Sequence, residues 1–387
     1  MADAPLTIGV VAGEASGDLL GAHLIRALRE RLPRVRFTGI GGPRMQSAGL
    51  DVLYPMEKLA VRGYVEVLRH YLEIAGIRRS LAKHYLANPP ALFVGVDAPD
   101  FNLDLELKLR SAGIPTAHFV SPSIWAWRGG RIHKIKRAVS RMLSIFPFEP
   151  PYYEKAGIPV TYVGHPFAEM LQQLPNRTAA REQLRLPAAG KIIALLPGSR
   201  VSELEQMADL FIETAKQIAA GLPEVVFLVP LVNRPTRELF ETALYRCEAR
   251  ELNLTVLFGH AHEAMAAADV VLAASGTATL EAALLERPVV ITYRMPRLSY
   301  WMMTARGYLP YVGLPNILAG EFIVPEFLQD EATPENLSQA ILNLMFDATV
   351  RARLEQRFHA MAGELRQNSG ERIATALLPL IRNGVTP

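Results

Sequence analysis

The sequence predicts an α/β protein built from two doubly wound, Rossmann-like domains. Short, β-branched apolar segments alternate with helical patterns along most of the 387 residues. Strands that are apolar throughout are typical of parallel sheets with helices on both faces. Eleven such segments favour two sheets of five or six strands over a single sheet of eleven. Such folds bind ligands beyond the carboxyl ends of their strands, so we expect an interdomain cleft lined by the loops at those ends.

The first group of predicted strands occupies the N-terminal half. Helical patterns such as GDLLGAHLIRALRE lie between its members. These strands are LTIGVVA from Leu6, RFTGIGG from Arg36, ALFVGVD from Ala91, TAHFVS from Thr116, RMLSIFPF from Arg141 and VTYVGHP from Val160.

The second group begins after a polar, proline-bearing segment, 166–187, where we place the hinge between the domains. From Pro334 onward the pattern is helical and predicts no further strand. The strands of the second group are KIIALLPGS from Lys191, VVFLVPLVN from Val225, LTVLFGH from Leu254, DVVLAASG from Asp269 and RPVVITYR from Arg287.

Composition excludes several classes of protein. A net charge of +3 argues against a general polyanion binder, and the single cysteine, Cys247, excludes a disulfide framework or a cysteine-based metal cluster. The N-terminus lacks the basic region of a signal peptide. No stretch reaches the roughly 18 apolar residues of a spanning helix. These features predict a soluble cytosolic protein.

The segment PGSR, which holds Gly198, Ser199 and Arg200, follows a predicted strand and precedes a helix. It lacks the second glycine and the lysine of a nucleotide-binding P-loop. Helix N–H groups and an arginine nevertheless favour a phosphate, although a turn with a solvated arginine is the alternative. Ser202 and Glu205 fit a capping box, which places the helix start there.

The first strand ends in GEASGD, where Gly13 permits close approach of a ligand and Glu14 and Ser16 supply polar groups. The spacing of the glycines is not that of a dinucleotide fingerprint. The alternative is a tight turn in which Asp18 caps the following helix.

Another strand of the first group ends in GVDAPDFN. Asp97 stands at its carboxyl end, where a carboxylate can act as a general base. Asp100 and Asn102 follow in a loop that Pro99 restricts. The D-x-x-D spacing differs from the D-x-D that often holds a metal-bound nucleotide sugar, so we predict no metal site. Asp100 alternatively caps a helix beginning near Leu103.

The segment ASGTATLE ends a strand of the second group. Free N–H groups and small side chains at Ser275, Gly276 and Thr277 again favour a phosphate, and together with Arg200 they predict a diphosphate site. Glu281 lies one helical turn further, where a carboxylate suits the ribose of a nucleotide. Alternatively, Glu281 only complements the helix dipole.

Two features indicate an anionic or lipid partner. No acidic residue stands between Glu106 and Glu149, whereas that span holds Trp125, Trp127 and many basic residues, among them Lys134. The predicted helix 61–74 has an apolar face and is followed by basic residues, which is typical of a helix lying on a membrane. The alternative is a helix that covers the sheet. We therefore expect peripheral contact with an anionic membrane through about 61–83 and 125–141.

Nine segments, distributed in order over most of the chain, together resemble the lipid-A-disaccharide synthase family. VDAPDFN, SPSIWAWR and LPNILAG are the most specific among them. The segments are GEASGD, GIGGPRM, GVDAPDFN, SPSIWAWR, FPFEPPYYEKAGIPVTYVGHP, LLPGSR, VPLVN, ASGTATLEAAL and VGLPNILAGE.

The resemblance implies an inverting glycosyltransferase of the GT-B fold without a cofactor. It implies transfer of 2,3-diacylglucosamine from UDP to the 6-hydroxyl of 2,3-diacylglucosamine 1-phosphate, a step of lipid A biosynthesis in Gram-negative bacteria. Asp97 would be the base, Arg200 would contact the diphosphate and Glu281 the ribose. Asn233 in VPLVN and Asn316 in LPNILAG would be further substrate-binding residues. The residues alone leave Asp100 and Glu14 open as bases.

The resemblance also implies a division of labour between the domains. Residues 1–168, completed by helices at about 350–387, would bind the acceptor and face the membrane, and residues 169–349 would bind the UDP-sugar. The enzyme would work on the cytoplasmic face of the inner membrane. The oligomeric state is open, with a homodimer as one alternative.

Three other functions are weighed against this one. Another UDP-sugar enzyme of the same fold, such as a 2-epimerase or a peptidoglycan glycosyltransferase, is the nearest in chemistry. A non-catalytic protein that binds a nucleotide sugar or a lipid is an alternative from another class. We expect no nucleic-acid partner, because the basic segment carries no recognised reading motif.

Overall fold

The structure is a computed structural model that describes residues 6–59, 64–296, 300 and 308–383, without the side chains of 64–71, 382 and 383. The chain forms two compact units. Residues 1–166 and 365–387 form the first unit, and residues 167–364 form the second. The chain thus leaves the first unit at Pro166 and re-enters it at Leu365, whereas the sequence placed these points at 168 and about 350.

The first unit contains a parallel sheet of seven strands in the order β3-β2-β1-β4-β5-β6-β7. Six of its strands are those predicted from the sequence. The seventh, β3, lies at the sheet edge, where half-buried and exposed residues replace the apolar run that marks the others. The strands are β1 (Thr7–Ala12), β2 (Arg36–Gly41), β3 (Leu50–Pro55), β4 (Leu92–Val96), β5 (Thr116–Phe119), β6 (Arg141–Ser144) and β7 (Val160–Tyr162).

Helices of the first unit cover this sheet. They are α1 (Ala15–Arg31), α2 (Pro43–Ala48), α3 (Tyr64–Ala87), α4 (Pro99–Ser111), α5 (Ile132–Ala138) and α6 (Pro150–Lys155), and α7 (Pro166–Met170) begins at the boundary of the unit.

The second unit contains a parallel sheet of six strands in the order β10-β9-β8-β11-β12-β13. Five were predicted, and the short edge strand β13 was not. The strands are β8 (Ile192–Leu196), β9 (Val226–Leu231), β10 (Leu254–Phe258), β11 (Val270–Ala274), β12 (Val289–Tyr293) and β13 (Glu326–Leu328).

The described helices of the second unit follow the same alternation, and the last three segments of the chain are helical as predicted. The helices are α8 (Arg177–Gln183), α9 (Val201–Gly221), α10 (Arg234–Arg246), α11 (Ala261–Ala267), α12 (Thr277–Leu284), α13 (Leu314–Ala319), α14 (Pro334–Phe346) and α15 (Ala348–Leu365), and α16 (Ser369–Asn383) belongs to the first unit.

In each sheet the strand order reverses direction at one place. In the first sheet this switch point lies between β1 and β4, and in the second between β8 and β11. Strands on either side of a switch point send their connections to opposite faces, which leaves a crevice beyond their carboxyl ends. The four loops singled out in the sequence follow these four strands.

The described part of α3 packs on the first sheet. Ile77, Leu81 and Tyr85 join a buried cluster with Phe93 of β4 and Leu105 of α4. The C-terminal half of α3 therefore covers the sheet, which is the alternative stated for this helix. Within the described residues, no helix is long and apolar enough to cross a membrane.

Candidate active site

The first switch point brings together two of the predicted loops. Ala12 of β1 pairs with Val96 of β4, so the segments that begin at Gly13 and Asp97 leave the sheet side by side. A Cβ on Gly13 would lie 3.0 Å from the Cβ of Ala98, so a side chain here would crowd the second loop. Gly13, Glu14 and Ser16 thus lie at the same sheet edge as Asp97.

Asp97 and Ala98 both have left-handed backbone conformations, with φ angles of 51° and 44°. Such angles are uncommon in residues other than glycine, and they persist where the surrounding structure enforces them. The N–H of Asp97 donates to the carbonyl oxygen of Phe119 over 2.9 Å. The side chain is half-buried. Among the described residues, no side-chain partner of this carboxylate is present, so it is available to a ligand.

The side-chain amide of Asn102 stabilises the turn at Asp97 and Ala98. Its Nδ2 lies 2.8 Å from the carbonyl oxygen of Asp97 and 3.2 Å from that of Val11, so one amide ties the two strand ends together. Asn102 was expected in a loop, but α4 begins at Pro99 and places it in the first helical turn. Its Oδ1 is buried and has no partner in the described part of the chain.

A buried, hydrogen-bonded pair of a glutamate and a histidine lies behind this turn. Oε1 of Glu106 is 2.7 Å from Nδ1 of His118, and both side chains are fully buried. Burial raises the pKa of the Glu106 carboxyl, while the nearby His118 opposes that rise. The sequence analysis missed this pair, because Glu106 lies on a helix and His118 on a strand, and nothing in the local pattern links them.

Asp18 has a different role from the one expected. It lies inside α1, which begins at Ala15, so it does not cap that helix. Its carboxylate is buried and accepts hydrogen bonds from the backbone N–H groups of Gly42, Arg44 and Met45 at distances of 2.8 to 3.0 Å. Asp18 therefore caps α2, a helix that follows the neighbouring strand β2.

Asp100 does not cap a helix at Leu103 either, because α4 starts at Pro99 and Ala98 is its N-cap residue. The Asp100 carboxylate pairs with Arg131, and the guanidinium of Arg128 lies 3.7 Å from it. The structure thus brings Asp100 of one loop together with the basic segment after β5.

A second buried network holds that basic segment. The indole N–H of Trp125 donates to Oε1 of Glu149 over 3.1 Å, and Oε2 accepts from the N–H groups of Ile145 and Phe146. Burial raises the pKa of the Glu149 carboxyl to about 7. The sequence showed Glu149 only as the end of the acid-free span, so its role was missed.

The second switch point holds the PGSR loop. Gly198 has a φ of 134°, and a Cβ at this position would lie 2.6 Å from the Cβ of Glu203, so only glycine fits. Glu203 Oε2 accepts from the N–H of Ser199 over 2.9 Å and from the N–H of Arg200 over 3.3 Å. Glu203 Oε1 lies 2.7 Å from Nη1 of Arg200.

The predicted capping box is therefore displaced by two residues. The helix α9 starts at Val201, and Glu203 rather than Glu205 supplies the carboxylate. Sequence spacing favoured Ser202 as the cap because serine is a common N-cap residue, but the backbone is already helical there. Glu203 orients Arg200, which was not anticipated.

The ASGTATLE loop follows β11, the strand beside β8. Gly276 has φ 159° and ψ −160°, a region that essentially only glycine occupies. Gly276 and Thr277 are exposed and Ser275 is half-buried, so their polar groups are accessible. Glu281 is largely buried on α12 and lies 3.1 Å from Nε2 of His262. His262, in the first turn of α11, was missed by the sequence analysis.

The two predicted asparagines serve the protein's own backbone. Oδ1 of Asn233 accepts from the N–H of Thr236 over 3.0 Å, which makes Asn233 the exposed N-cap residue of α10 at the carboxyl end of β9.

Asn316 is fully buried. Its Nδ2 donates to the carbonyl oxygen of Val324 and to Glu326, and its Oδ1 accepts from the N–H groups of Ile323 and Val324. The polar atoms of Asn316 thus hold the segment between α13 and β13, and its expected contact with substrate stays a prediction.

The predicted membrane helix is only partly described. Residues 61–63 and the side chains of 64–71 lie outside the described residues. In the described remainder Leu72 is 79% exposed, and Arg79 and Lys83 are exposed as well.

Comparison with known proteins adds an independent result. The sequence profile of the family described as lipid-A-disaccharide synthetase matches residues 8–377. The chain is 55% identical over 376 residues to a lipid-A-disaccharide synthase of Methylobacillus flagellatus, covering 97% of this chain and 100% of the relative. It is 57% identical over 374 residues to one of Aromatoleum aromaticum, covering 97% and 96%.

Solved structures share the fold at low sequence identity. A UDP-GlcNAc 2-epimerase from Neisseria meningitidis, bound to UDP-GlcNAc, has a TM-score of 0.63 at 12% identity and covers 97% of this chain and 99% of its own. A trehalose 6-phosphate synthase from Burkholderia multivorans has a TM-score of 0.58 at 12% identity, with 98% of each chain covered. These likenesses confirm the GT-B fold and carry no more than the fold.

Proposed function

The chain belongs to the lipid-A-disaccharide synthase family, and on that premise we propose which of its residues carry the glycosyl transfer. The chain is a glycosyltransferase that condenses UDP-2,3-diacylglucosamine with 2,3-diacylglucosamine 1-phosphate. The products are the β-1,6-linked disaccharide 1-phosphate and UDP.

Asp97 is the general base in this proposal. The acceptor 6-hydroxyl attacks the anomeric carbon of the donor, the bond from that carbon to the diphosphate oxygen breaks, and the hydroxyl proton passes to Asp97. The observation that carries the proposal is the position of an accessible carboxylate at the switch point of the first sheet. Glu14, at the neighbouring strand end, and Asp100 in the first turn of α4 are the alternative candidates for the base.

UDP leaves as an anion and its charge must be stabilised where it forms. Arg200 is suited to the diphosphate, because Glu203 orients its guanidinium at the end of β8. The exposed N-terminus of α12 at Gly276 and Thr277, beside Ser275, offers further donors at the adjacent strand. Glu281 is assigned to the ribose hydroxyls, with His262 holding its carboxylate.

Two of the expected ligand contacts take indirect roles in this account. Asn233 fixes the start of α10 as its exposed N-cap residue. Asn316 shapes the segment before β13 from a buried position.

Both substrates carry acyl chains, so we also propose peripheral contact of the first unit with the cytoplasmic face of the inner membrane. The exposed Leu72, with Arg79 and Lys83 on the same helix, supports this contact, because an apolar side chain flanked by cations suits an anionic bilayer surface. The basic residues of 125–141 are the second expected contact. Flotation with vesicles of phosphatidylglycerol tests the membrane contact, and Leu72→Asp is expected to weaken binding to these vesicles. The homodimer stays a prediction.

Turnover in detergent micelles tests the proposed function. The wild-type protein, with both acylated substrates and a chelator present, is expected to release the disaccharide phosphate and UDP in equal amounts. The function is wrong if the donor is consumed without a disaccharide, as an epimerase would do.

A further inference from the structure

A cluster of opposite charges lies beside the candidate base, and the proposed reaction does not yet use it. Arg78 and Lys134 pair with Asp104 at 2.9 and 2.6 Å, and Arg128 and Arg131 pair with Asp100. These six side chains are called the α4 cluster below. They come from α3, from the segment after β5, from α5 and from the first turns of α4.

The α4 cluster carries a surplus of positive charge. Four cations face two carboxylates, which leaves a formal charge of +2 for the six side chains. A phosphomonoester carries about −1.5 to −2 at neutral pH and three strong acceptor oxygens. The surplus therefore matches one phosphate group.

The exposure of Asp100 allows a phosphate to replace its carboxylate beside the arginines. Its side chain is 80% exposed, whereas that of Arg131 is only 17% exposed. Solvent around the exposed Asp100 carboxylate weakens its side of the pair, so a phosphate can replace it at little cost. Arginine binds phosphate oxygens through parallel N–H donors, which makes the exchange favourable.

The segment that carries Arg128 and Arg131 is held in place before any ligand binds. The guanidinium of Arg128 stacks on the ring of Trp127 at 4.2 Å from its centroid. The segment that carries them is held by the bond from Trp125 to Glu149 and by the contact of 2.5 Å between Ser121 Oγ and the Tyr153 hydroxyl. Val120 and Arg128 have φ angles of 78° and 52°, which such anchoring maintains.

The position of the cluster relates it to the acceptor. Asp100 follows Asp97 by three residues at the carboxyl edge of the first sheet. Of the two substrates, only the acceptor carries a phosphomonoester, and it presents its 6-hydroxyl to the base. Resting on the proposed function, we infer that Arg128 and Arg131 form the subsite for the acceptor's 1-phosphate and so select a phosphorylated acceptor.

The test compares two acceptors, 2,3-diacylglucosamine with and without the 1-phosphate. Arg131→Gln and Arg128→Gln are expected to raise KM for the phosphorylated acceptor by about 10- to 100-fold, as the loss of a charged hydrogen bond implies, while kcat changes far less. KM for the acceptor without phosphate should stay as in the wild type. Arg131→Lys keeps the charge and should recover only part of the loss. Arg34→Gln, exposed at the opposite edge of the sheet, is the control.

Three results would overturn the subsite, two from these variants and one from calorimetry. An equal loss on both acceptors would mean general damage to the segment. A loss of binding to phosphatidylglycerol vesicles with unchanged acceptor preference would assign the arginines to lipid headgroups. Calorimetry with soluble glucosamine 1-phosphate separates this inference from the proposed function. If glucosamine 1-phosphate binds in a manner that depends on Arg131 but no disaccharide forms from the acylated substrates, the transferase is refuted and the subsite is supported. If glucosamine 1-phosphate does not bind to the wild-type protein, the subsite is refuted.

Discussion

The side-chain amide of Asn102 donates to the carbonyl oxygen of Asp97 over 2.8 Å, and the same nitrogen lies 3.2 Å from the carbonyl oxygen of Val11. One buried donor thus links the ends of β4 and β1 at the switch point. The left-handed turn at Asp97 and Ala98 depends on such a link, since its backbone angles are unfavourable for these residues. Asn102 thus holds the backbone that carries the candidate base.

Asn102→Ala is therefore expected to lower kcat more than the affinity for UDP. The change leaves backbone carbonyls without a buried donor, which costs about 1–3 kcal/mol. Denaturant unfolding should report a loss of that order, and steady-state kinetics should show a lower kcat with KM for the UDP-sugar close to wild type. Asn88→Ala, in an exposed loop at the other end of the first sheet, is the control. An unchanged kcat would show that Asn102 does not position the base.

Glu203→Gln is expected to weaken binding of UDP. The change removes the charge that orients Arg200 and weakens the cap on the N–H groups of Ser199 and Arg200. Loss of a cap costs about 0.5–2 kcal/mol of stability. Calorimetric titration with UDP measures the affinity. Glu205→Gln on the exposed face of the same helix should have no effect. A loss caused by Glu205→Gln and not by Glu203→Gln would instead support the capping box first expected from the sequence.

Glu149 predicts a specific pH dependence of stability. Its pKa is raised by burial to about 7, above the ordinary value of 4.5, so the folded state keeps a proton that the unfolded state has lost. Its contribution to the free energy of unfolding is therefore full below about pH 4.5 and falls as the pH rises toward 7. The slope is about 1.4 kcal/mol per pH unit, or roughly 3 kcal/mol in all.

His165 acts in the opposite direction over part of this range. Burial lowers its pKa to about 3, so the unfolded state binds its proton more readily and stability rises with pH up to about 6.5. The two slopes offset each other in the wild type. The difference between Glu149→Gln and the wild type isolates Glu149, and the variant should gain relative stability between pH 4.5 and 7 in urea unfolding. A pH-independent difference would contradict the raised pKa.

Glu281→Ala should remove the preference for an intact ribose. A hydrogen bond to a charged acceptor contributes about 1.5–3 kcal/mol, so the affinity of the wild type for UDP should exceed that for its 2′,3′-dideoxy analogue by at least about 10-fold. The variant should bind both alike, as measured by calorimetry. Glu224→Ala, exposed at the amino edge of the second sheet, is the control. If the variant still discriminates, another residue contacts the ribose.

The architecture was predictable because its signals are local. Apolar, β-branched strands such as β4 and β8 are buried on both faces and stand out from the helices around them. The missed strands β3 and β13 lie at sheet edges, where one side is open and no continuous apolar run is needed. The four loops at the two switch points were found because small and polar residues follow directly after these strands.

The supporting side chains were not predictable, because their partners lie far away in the sequence. Asp18 caps a helix that begins 25 residues later, and Glu106 of α4 contacts a histidine of β5. Asp18 caps the start of α2 and Glu203 caps the start of α9. The residue at which each of these helices starts is decided by the folded backbone and not by the local sequence. For Asn316 the family motif marks the residue but does not reveal that its amide is buried.

The central claim is that Asp97 removes the proton from the acceptor hydroxyl. The most direct measurement is single-turnover formation of the disaccharide phosphate by Asp97→Ala, Asp100→Ala and Glu14→Ala, with UDP affinity measured in parallel. We predict that Asp97→Ala lowers the rate by about 10²- to 10⁴-fold, as expected for loss of a general base, while UDP binds as to the wild type. A wild-type rate for Asp97→Ala, together with a loss of that size for Glu14→Ala or Asp100→Ala, would contradict the claim.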